Sequence, residues 1–133
     1  MRIYTSYWGK LKALGNHEIQ PIGISRYQPK WYKGGTHFKM LSPTSNLLML
    51  DEDEYVPKFE EILSKLNAKE IYSTLKQISK KDAIALICYE RPEDFCHRHL
   101  VAKWLSKELD IEITEWEEPQ KEAEKPNPNL TLF

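Results

Sequence analysis

The stretch of sequence that decides the fold is Ala83-Ile-Ala-Leu-Ile-Cys-Tyr-Glu-Arg-Pro-Glu-Asp-Phe-Cys-His-Arg-His-Leu-Val-Ala-Lys-Trp-Leu105. Its first part, up to Tyr89, is an apolar run typical of a strand that is buried on both faces. A short loop follows. From Cys96 onward, apolar residues recur at helical spacing, so that one face of the predicted helix packs on the sheet. The stretch therefore predicts a buried strand, a loop and a helix.

Strand-like and helix-like segments alternate along the rest of the chain. Composition and alternation predict further strands at residues 2–8, 21–25 and 111–116. Helical spacing predicts helices at residues 55–66 and 67–78, the first preceded by an acidic run that suits a helix N-terminus, and residues 9–15 form a brief helix or turn. The pattern indicates an α/β fold, a small layered domain with a mostly parallel sheet of about four strands flanked by helices.

Composition narrows the class of protein. The chain has 133 residues, a formal net charge of −1 and 41% hydrophobic residues, which favours one globular domain over a disordered chain. We assign residues 1–116 to a single α/β domain and residues 117–133 to a flexible polar tether with an apolar tip. No run approaches about 18 apolar residues, so we expect a cytoplasmic protein without a membrane partner, and two reduced thiols.

The first turn of the last predicted helix holds the candidate catalytic residues, which are Cys96, His97 and Arg98. A thiol near basic groups at a helix start favours its thiolate, which is nucleophilic. An imidazole titrates near neutral pH, and a guanidinium can hold a phosphate. The structural alternatives stay open: a buried apolar thiol, a histidine bonded to a loop carbonyl, and an arginine paired with Glu90 or Glu93.

The carboxyl ends of parallel strands meet at one edge of a sheet, where ligands bind in open α/β folds. We therefore expect Ser6, Arg26, Tyr89 and Glu90 to join the three candidate catalytic residues in an anion-binding pocket. A cysteine phosphatase loop is excluded, because Asp94 and Ala102 occupy the positions where its arginine would stand. A zinc site is disfavoured, since adjacent helical residues point in different directions, and we predict neither a metal nor a cofactor.

The stretch Leu86-Ile-Cys-Tyr-Glu-Arg-Pro-Glu-Asp-Phe-Cys-His-Arg98 closely resembles the hallmark of an uncharacterised family, domain of unknown function 488. That hallmark is a Cys-Tyr-Glu strand end, a loop, and Cys-His-Arg opening a helix. Further segments also resemble its short members, namely Ile3-Tyr-Thr-Ser-Tyr7, Ile24-Ser-Arg26 and Pro29-Lys-Trp31. The resemblance covers about residues 1–116 and implies an α/β domain with Cys96, His97 and Arg98 near a common site. It implies no particular reaction.

A basic and aromatic segment runs from Arg26 to Lys39 without an acidic residue. Positive charge interleaved with aromatic rings suits phosphates and stacked bases, which makes Lys30 and Trp31 candidate ligand-binding residues. The alternative is a cover loop whose rings pack on the core. No Walker loop or GxGxxG pattern is present, so a common ATP or NAD fold is not indicated.

The tip Asn129-Leu-Thr-Leu-Phe133 resembles the peptide that binds the bacterial sliding clamp, with Asn129 in place of the usual Gln. Leu130, Leu132 and Phe133 would enter an apolar groove on the partner, and self-docking is the alternative. Two functions follow from the sequence. The first is a nucleotide- or nucleic-acid-processing enzyme. The alternative is a non-catalytic nucleotide- or nucleic-acid-binding module that its C-terminal peptide recruits to a sliding clamp.

Overall fold

A computed structural model describes residues 1–32, 36–89 and 96–119. In these ranges the strands are β1 (Arg2–Tyr7), β2 (Ile19–Gly23), β3 (Thr36–His37), β4 (Ala83–Cys88) and β5 (Thr114–Glu115). The α-helices are α1 (Leu11–Asn16), α2 (Glu52–Ser64), α3 (Ala68–Ile78) and α4 (His97–Leu109), and three short 3-10 helices cover Trp8–Lys10, Lys39–Leu41 and Leu47–Met49.

The strands form one sheet in the order β3-β2-β4-β1-β5, and all of its pairings are parallel. The central strand β4 pairs with β1 from Arg2↔Ala83 to Tyr7↔Cys88 and with β2 on its other side. Every residue of β4 is buried, as a strand covered on both faces must be. The predicted α/β fold is confirmed. The additional strand, β3, is a two-residue pairing with β2 inside the basic and aromatic segment from Arg26 to Lys39.

The two faces of the sheet carry separate apolar cores, because successive side chains of a strand point to opposite sides. Ile84 and Leu86 pack beneath α2, α3 and α4, in a core that includes Val101 and Leu105. On the other face, the residues that pack together are Trp8, Leu14, Ala85, Ile87 and Trp116. Consecutive residues near the end of β4 therefore face opposite sides of the sheet. Cys88 lies on the α4 face, and Tyr89 lies on the other face.

Helix boundaries follow local chemistry. Helix α2 begins at Glu52 with Glu52, Asp53 and Glu54 in its first turn, where carboxylates interact favourably with the helix dipole. Helix α3 follows Asn67, whose side chain accepts a hydrogen bond from the Glu70 N–H at 3.1 Å. The strand predicted at residues 21–25 is shifted by two residues, since β2 covers Ile19–Gly23. The strand predicted at residues 111–116 is too long, since β5 covers only Thr114–Glu115. No helix within the described ranges is long and apolar enough to cross a membrane.

Candidate functional site

The strand–helix junction comprises Cys88 at the end of β4 and Cys96, His97 and Arg98 at the start of α4. Cys96 precedes the helix in an extended conformation (φ −150°, ψ 141°), and its side chain does not cap the helix. The sulfurs of Cys88 and Cys96 are joined in a disulfide, with Cα atoms 7.3 Å apart. The expectation of two reduced thiols is therefore wrong for this structure, because strand pairing and helix packing bring the two residues together.

His97 is held inside the junction by the end of β2. Its Nε2 lies 2.7 Å from the carbonyl oxygen of Ile24. A carbonyl can only accept, so Nε2 carries the proton and Nδ1 presents its lone pair toward Cys96 Sγ, 3.8 Å away. The ring also meets Phe59 edge to face at 5.4 Å. Burial, assisted by the Arg98 charge, lowers the pKa of His97 from its ordinary value of 6.5 to about 4, so the imidazole is neutral at pH 7.

Arg98 is fully buried, at 0% exposure, and its charge is compensated within the protein. Its Nε and one terminal nitrogen donate to the two carboxylate oxygens of Glu115 at 3.0 and 3.1 Å. The other terminal nitrogen donates to Cys88 Sγ at 3.2 Å, and the Thr5 hydroxyl donates to Glu115 at 2.7 Å. The guanidinium also lies 5.9 Å from the Tyr7 ring centroid. Arg98 thus links β1, β4, β5 and α4.

Three potential metal ligands converge in the junction. Cys88 Sγ, Cys96 Sγ and His97 Nδ1 all lie within 4.8 Å of one another, and all three residues are buried. Zinc was disfavoured on the assumption that Cys96 and His97 are both helical and diverge by ~100°. That assumption is wrong, because Cys96 lies before the helix in an extended conformation, and its side chain turns back toward His97.

His99, the next histidine, stays outside this set. The sequence places it toward solvent with Lys103, whereas the structure leaves it only partly exposed. Its Nε2 atom is buried and has no hydrogen-bond partner among the described residues. Burial also lowers the pKa of His99.

An aromatic surface lies on the other face of the sheet at the same edge. It comprises Trp8, Trp31, Tyr32 and Tyr89. Trp8 is buried at its centre, with ring centroids of Tyr32, Tyr89 and Trp31 at 4.7, 6.2 and 6.4 Å. Trp31 is 66% exposed and Tyr89 is 50% exposed, so the surface presents aromatic area to solvent. The surface adjoins the junction because Tyr89 directly follows Cys88.

Three buried polar atoms near this surface lack a hydrogen-bond partner among the described residues: Ser6 Oγ, Trp8 Nε1 and Gln28 Oε1. Ser6 pairs in register with Ile87, which places it on the aromatic side of the sheet. Gln28 and Trp8 both approach Gly23, where a Cβ would lie only 2.8 Å from Gln28 Oε1 and 3.1 Å from the Trp8 ring. Unpartnered buried polar atoms are rare in proteins and call for a partner such as water or a ligand.

The loop after β2 places basic groups beside the exposed rings. Arg26 is partly exposed and its guanidinium lies 5.9 Å from the ring centroid of Tyr27, which is 61% exposed. Lys30 is exposed and precedes Trp31. The loop therefore presents charge and aromatic area together, while Phe38 further along the same segment is buried in the core.

The structure brings some of the predicted site residues together and separates others. Cys96, His97 and Arg98 meet at the junction on the α4 face, whereas Ser6, Trp31 and Tyr89 lie on the aromatic side. The predicted residues that lie outside the described ranges are Glu90, Leu130, Leu132 and Phe133.

Sequence reasoning missed the partners that complete both regions. Glu115 binds Arg98. The alternative partners that the sequence suggested, Glu90 and Glu93, lie outside the described residues. The sequence pointed to Glu115 only by placing it in the last predicted strand. Parallel pairing of that strand with β1 brings Glu115 opposite Thr5. Trp8 ends the first predicted strand, and only the fold shows that the rings of the basic segment gather around it.

A groove of about 460 Å³ lies away from both regions, between α2 and the later turns of α4. Its lining mixes apolar and oppositely charged side chains, and the residues involved are Glu60, Leu63, Ser64, Leu100, Lys103, Trp104, Lys107 and Glu108. None of the junction or aromatic-surface residues lines it. The candidate residues at the strand ends thus lie outside this groove.

Comparison with known families supports the resemblance seen in the sequence. Residues 3–109 match the model of the family DUF488-N3a, which is described as the active DUF488-N3 subclade. No curated protein and no solved structure gives a significant match to the chain. The family match spans the sheet from β1 to β4 and all of α4, and thus contains the junction and the aromatic surface. The chain belongs to the DUF488 family, in the subclade described as DUF488-N3a.

Proposed function

We propose that this protein binds a nucleotide or a single nucleic-acid strand at the aromatic surface and processes it at the strand–helix junction. The observation that carries the proposal is the exposed aromatic area around Trp8. Lys30 directly precedes Trp31 in the chain, and Arg26 lies against the exposed Tyr27 ring in the same loop. Aromatic rings stack on bases and basic side chains attract phosphates, which together recognise this class of ligand. The unpartnered Ser6 Oγ and Gln28 Oε1 supply hydrogen-bonding groups at the same place.

The catalytic part of the proposal rests on the junction. His97 Nδ1 faces Cys96 Sγ, the pairing of a potential nucleophile with a base. The family description as an active subclade supports a reaction rather than binding alone. Arg98, with its guanidinium directed at Glu115 and Cys88, would position these groups. The partly exposed Arg26 is the better candidate for contact with phosphate.

Binding is tested by fluorescence titration of the full chain with a mononucleotide and with a short single-stranded oligonucleotide. Trp31→Ala should weaken binding by about 1–3 kcal/mol, the usual contribution of one stacked base. Arg26→Ala with Lys30→Ala should reduce the salt dependence of binding. Met49→Ala is the matched control, since Met49 is 88% exposed and lies outside the aromatic surface. Equal affinity of Trp31→Ala and wild type would reject the binding site.

Catalysis is tested by mass spectrometry of the nucleotides and oligonucleotides after incubation with the reduced protein. A product that disappears in Cys96→Ser and His97→Ala, while both variants still bind and fold, supports the enzyme. Retained binding without any product from the wild type favours the non-catalytic module instead.

We also propose that the tip Asn129 to Phe133 recruits the protein to a bacterial sliding clamp. The support is the Leu-Thr-Leu-Phe pattern behind a polar stretch that has no other large apolar residue after Trp116. Deletion of residues 129–133 should abolish co-migration with the clamp and leave ligand binding unchanged. Co-migration that survives the deletion, or its absence in the full chain, would reject recruitment.

A further inference from the structure

We propose that the reduced strand–helix junction is a zinc site, with Cys88 Sγ, Cys96 Sγ and His97 Nδ1 as the protein ligands. These three atoms lie within 4.8 Å of one another in a buried position. Two thiolates and an imidazole are the donors that Zn²⁺ favours, whereas Mg²⁺ and Ca²⁺ require oxygen ligands. The ligands come from the end of β4, from Cys96 just before α4 and from the first residue of α4, so the fold already holds them together. Reduction of the disulfide must separate the two sulfurs before an ion can bind between them.

The orientation of His97 suits a ligand. Its Nε2 N–H donates to the Ile24 carbonyl at 2.7 Å, which fixes the tautomer and leaves the Nδ1 lone pair facing the sulfurs. Metal-binding histidines nearly always donate their other ring N–H to such an acceptor. The 3.8 Å between Nδ1 and Cys96 Sγ is close to the separation of two ligands about 2.0–2.3 Å from one tetrahedral zinc ion.

The charges around the sulfurs also suit a bound thiolate. Arg98 donates to Cys88 Sγ at 3.2 Å, the kind of hydrogen bond that stabilises a sulfur anion. Glu115 compensates the guanidinium through two further hydrogen bonds, so the cation is not left unbalanced beside the metal. The Cys88 ligand is thus hydrogen-bonded to Arg98, which is hydrogen-bonded in turn to Glu115.

The disulfide and the zinc site are alternative states of the same two cysteines. A thiol reductant supplies the two electrons and two protons that convert the disulfide into two thiols. Zinc then replaces both thiol protons, which are released to solvent. With their Cα atoms 7.3 Å apart, the two side chains can place their sulfurs on either side of an ion. Three protein ligands leave a fourth position for water or a substrate group, as in catalytic zinc sites.

The full chain is reduced with a phosphine, freed of metal by a chelator and titrated with Co²⁺ under anaerobic conditions. We expect one ion per chain, a thiolate-to-cobalt charge-transfer band, and displacement of Co²⁺ by Zn²⁺. Protein oxidised to the Cys88–Cys96 disulfide should bind at least about tenfold more weakly, because its sulfurs are no longer thiolates. A reduced wild type without the charge-transfer band, or equal binding by the oxidised protein, overturns the site.

Variants identify the ligands. Cys88→Ser, Cys96→Ser and His97→Ala should each lower Zn²⁺ affinity by at least about 10- to 100-fold, the loss seen when even an outer-shell partner is removed. His99→Ala is the matched control, because His99 lies on the same helical turn as His97 but outside the three-ligand set. The Zn²⁺ affinity of this variant should equal that of wild type. If His99→Ala alone loses binding, the proposed ligand set is wrong. Circular dichroism checks the fold of each variant, and the reduced wild-type titration decides the question even where a variant does not fold.

With zinc bound, Cys96 and His97 act as metal ligands and no longer as a nucleophile and its base. The inference therefore goes beyond the proposed function, and it does not depend on the nucleotide ligand. Metal binding is measured without nucleotide, and nucleotide binding is measured with chelator present. Failure of the zinc site would leave the aromatic surface untouched. Conversely, a bound zinc ion without nucleotide affinity would reject the binding proposal alone.

Discussion

The strand–helix junction and the aromatic surface lie on opposite faces of the same sheet edge, yet their side chains are satisfied in opposite ways. Arg98, His97 and Glu115 are held by short hydrogen bonds within the protein. Across the sheet, Ser6 Oγ and Trp8 Nε1 are buried without a partner in the described ranges, and Trp31 is two-thirds exposed. The charged groups of the junction, Arg98 and Glu115, are compensated within the protein, whereas the aromatic surface leaves groups that a ligand could satisfy.

This difference separates stability from recognition. Breaking a compensated buried network removes interactions that the folded state already makes, so it lowers the free energy of unfolding. Truncating an exposed ring or an unpartnered hydroxyl removes little from the folded state, so its effect should fall on ligand affinity. Substitutions on the two faces should therefore produce different phenotypes even though the residues are close in sequence.

The largest effect is expected from Arg98→Ala. It leaves the Glu115 carboxylate without its buried partner, which typically costs about 3–5 kcal/mol of unfolding free energy. Chemical denaturation measures the loss. Lys65→Ala is the control, because its pair with Glu61 is largely exposed and should contribute less than about 1 kcal/mol. A loss below about 1 kcal/mol for Arg98→Ala would contradict a stabilising buried ion pair between Arg98 and Glu115.

The next effect is a pH dependence from His97. Its folded pKa is lowered to about 4 by burial, while its unfolded pKa stays near 6.5. The unfolded state therefore binds the additional proton between these values. The contribution of the neutral His97 to the free energy of unfolding is fully present above pH 6.5. The free energy of unfolding falls by about 3 kcal/mol as the pH drops to about 4. Denaturant titrations across this range, with chelator present, should show a shallower fall for His97→Gln. Parallel curves for the two proteins would contradict the buried neutral imidazole.

A smaller effect tests packing beneath the aromatic surface. In Gly23→Ala, the new Cβ would lie 2.8 Å from Gln28 Oε1 and 3.1 Å from the Trp8 ring. We expect a loss of about 1–3 kcal/mol from overpacking, together with weaker ligand binding as Trp8 shifts. Gly15→Ala in α1 is the matched control, because its Cβ meets nothing within 4 Å and should be neutral or stabilising. Similar stability changes for both variants would contradict the tight contact at Gly23.

The fold was largely predictable from sequence because strand and helix periods are local properties. The apolar run to Cys88 predicted a strand buried on both faces, and residues 55–66 and 67–78 predicted two helices that the structure confirms within a few residues. The two-residue strand β3 was not predictable, since it depends on pairing with β2 rather than on a pattern of its own.

The position of the candidate site in the chain was predictable from sequence, but the contacts between its side chains were not. The Cys96-His97-Arg98 motif marks the junction, while the pairing of Arg98 with Glu115 depends on β5 lying beside β1. Cys96 itself is extended and precedes α4, so helical geometry applied to Cys96 could not reveal its proximity to Cys88 and His97. Long-range pairing and non-helical caps are thus where local rules fail.

The smallest effect gives the sharpest comparison, because it uses two adjacent residues of β1 that face opposite sides of the sheet. Ser6→Ala removes a hydroxyl that has no partner in the described structure, so stability should stay within about 1 kcal/mol of wild type. Nucleotide affinity should fall about two- to tenfold if the ligand satisfies that hydroxyl. Thr5→Val removes the hydrogen bond to Glu115 instead and should lower stability by about 1–2 kcal/mol with affinity unchanged. Denaturation and fluorescence titration of both variants measure the two quantities, and a shared phenotype would mean that the two faces do not divide stability from recognition.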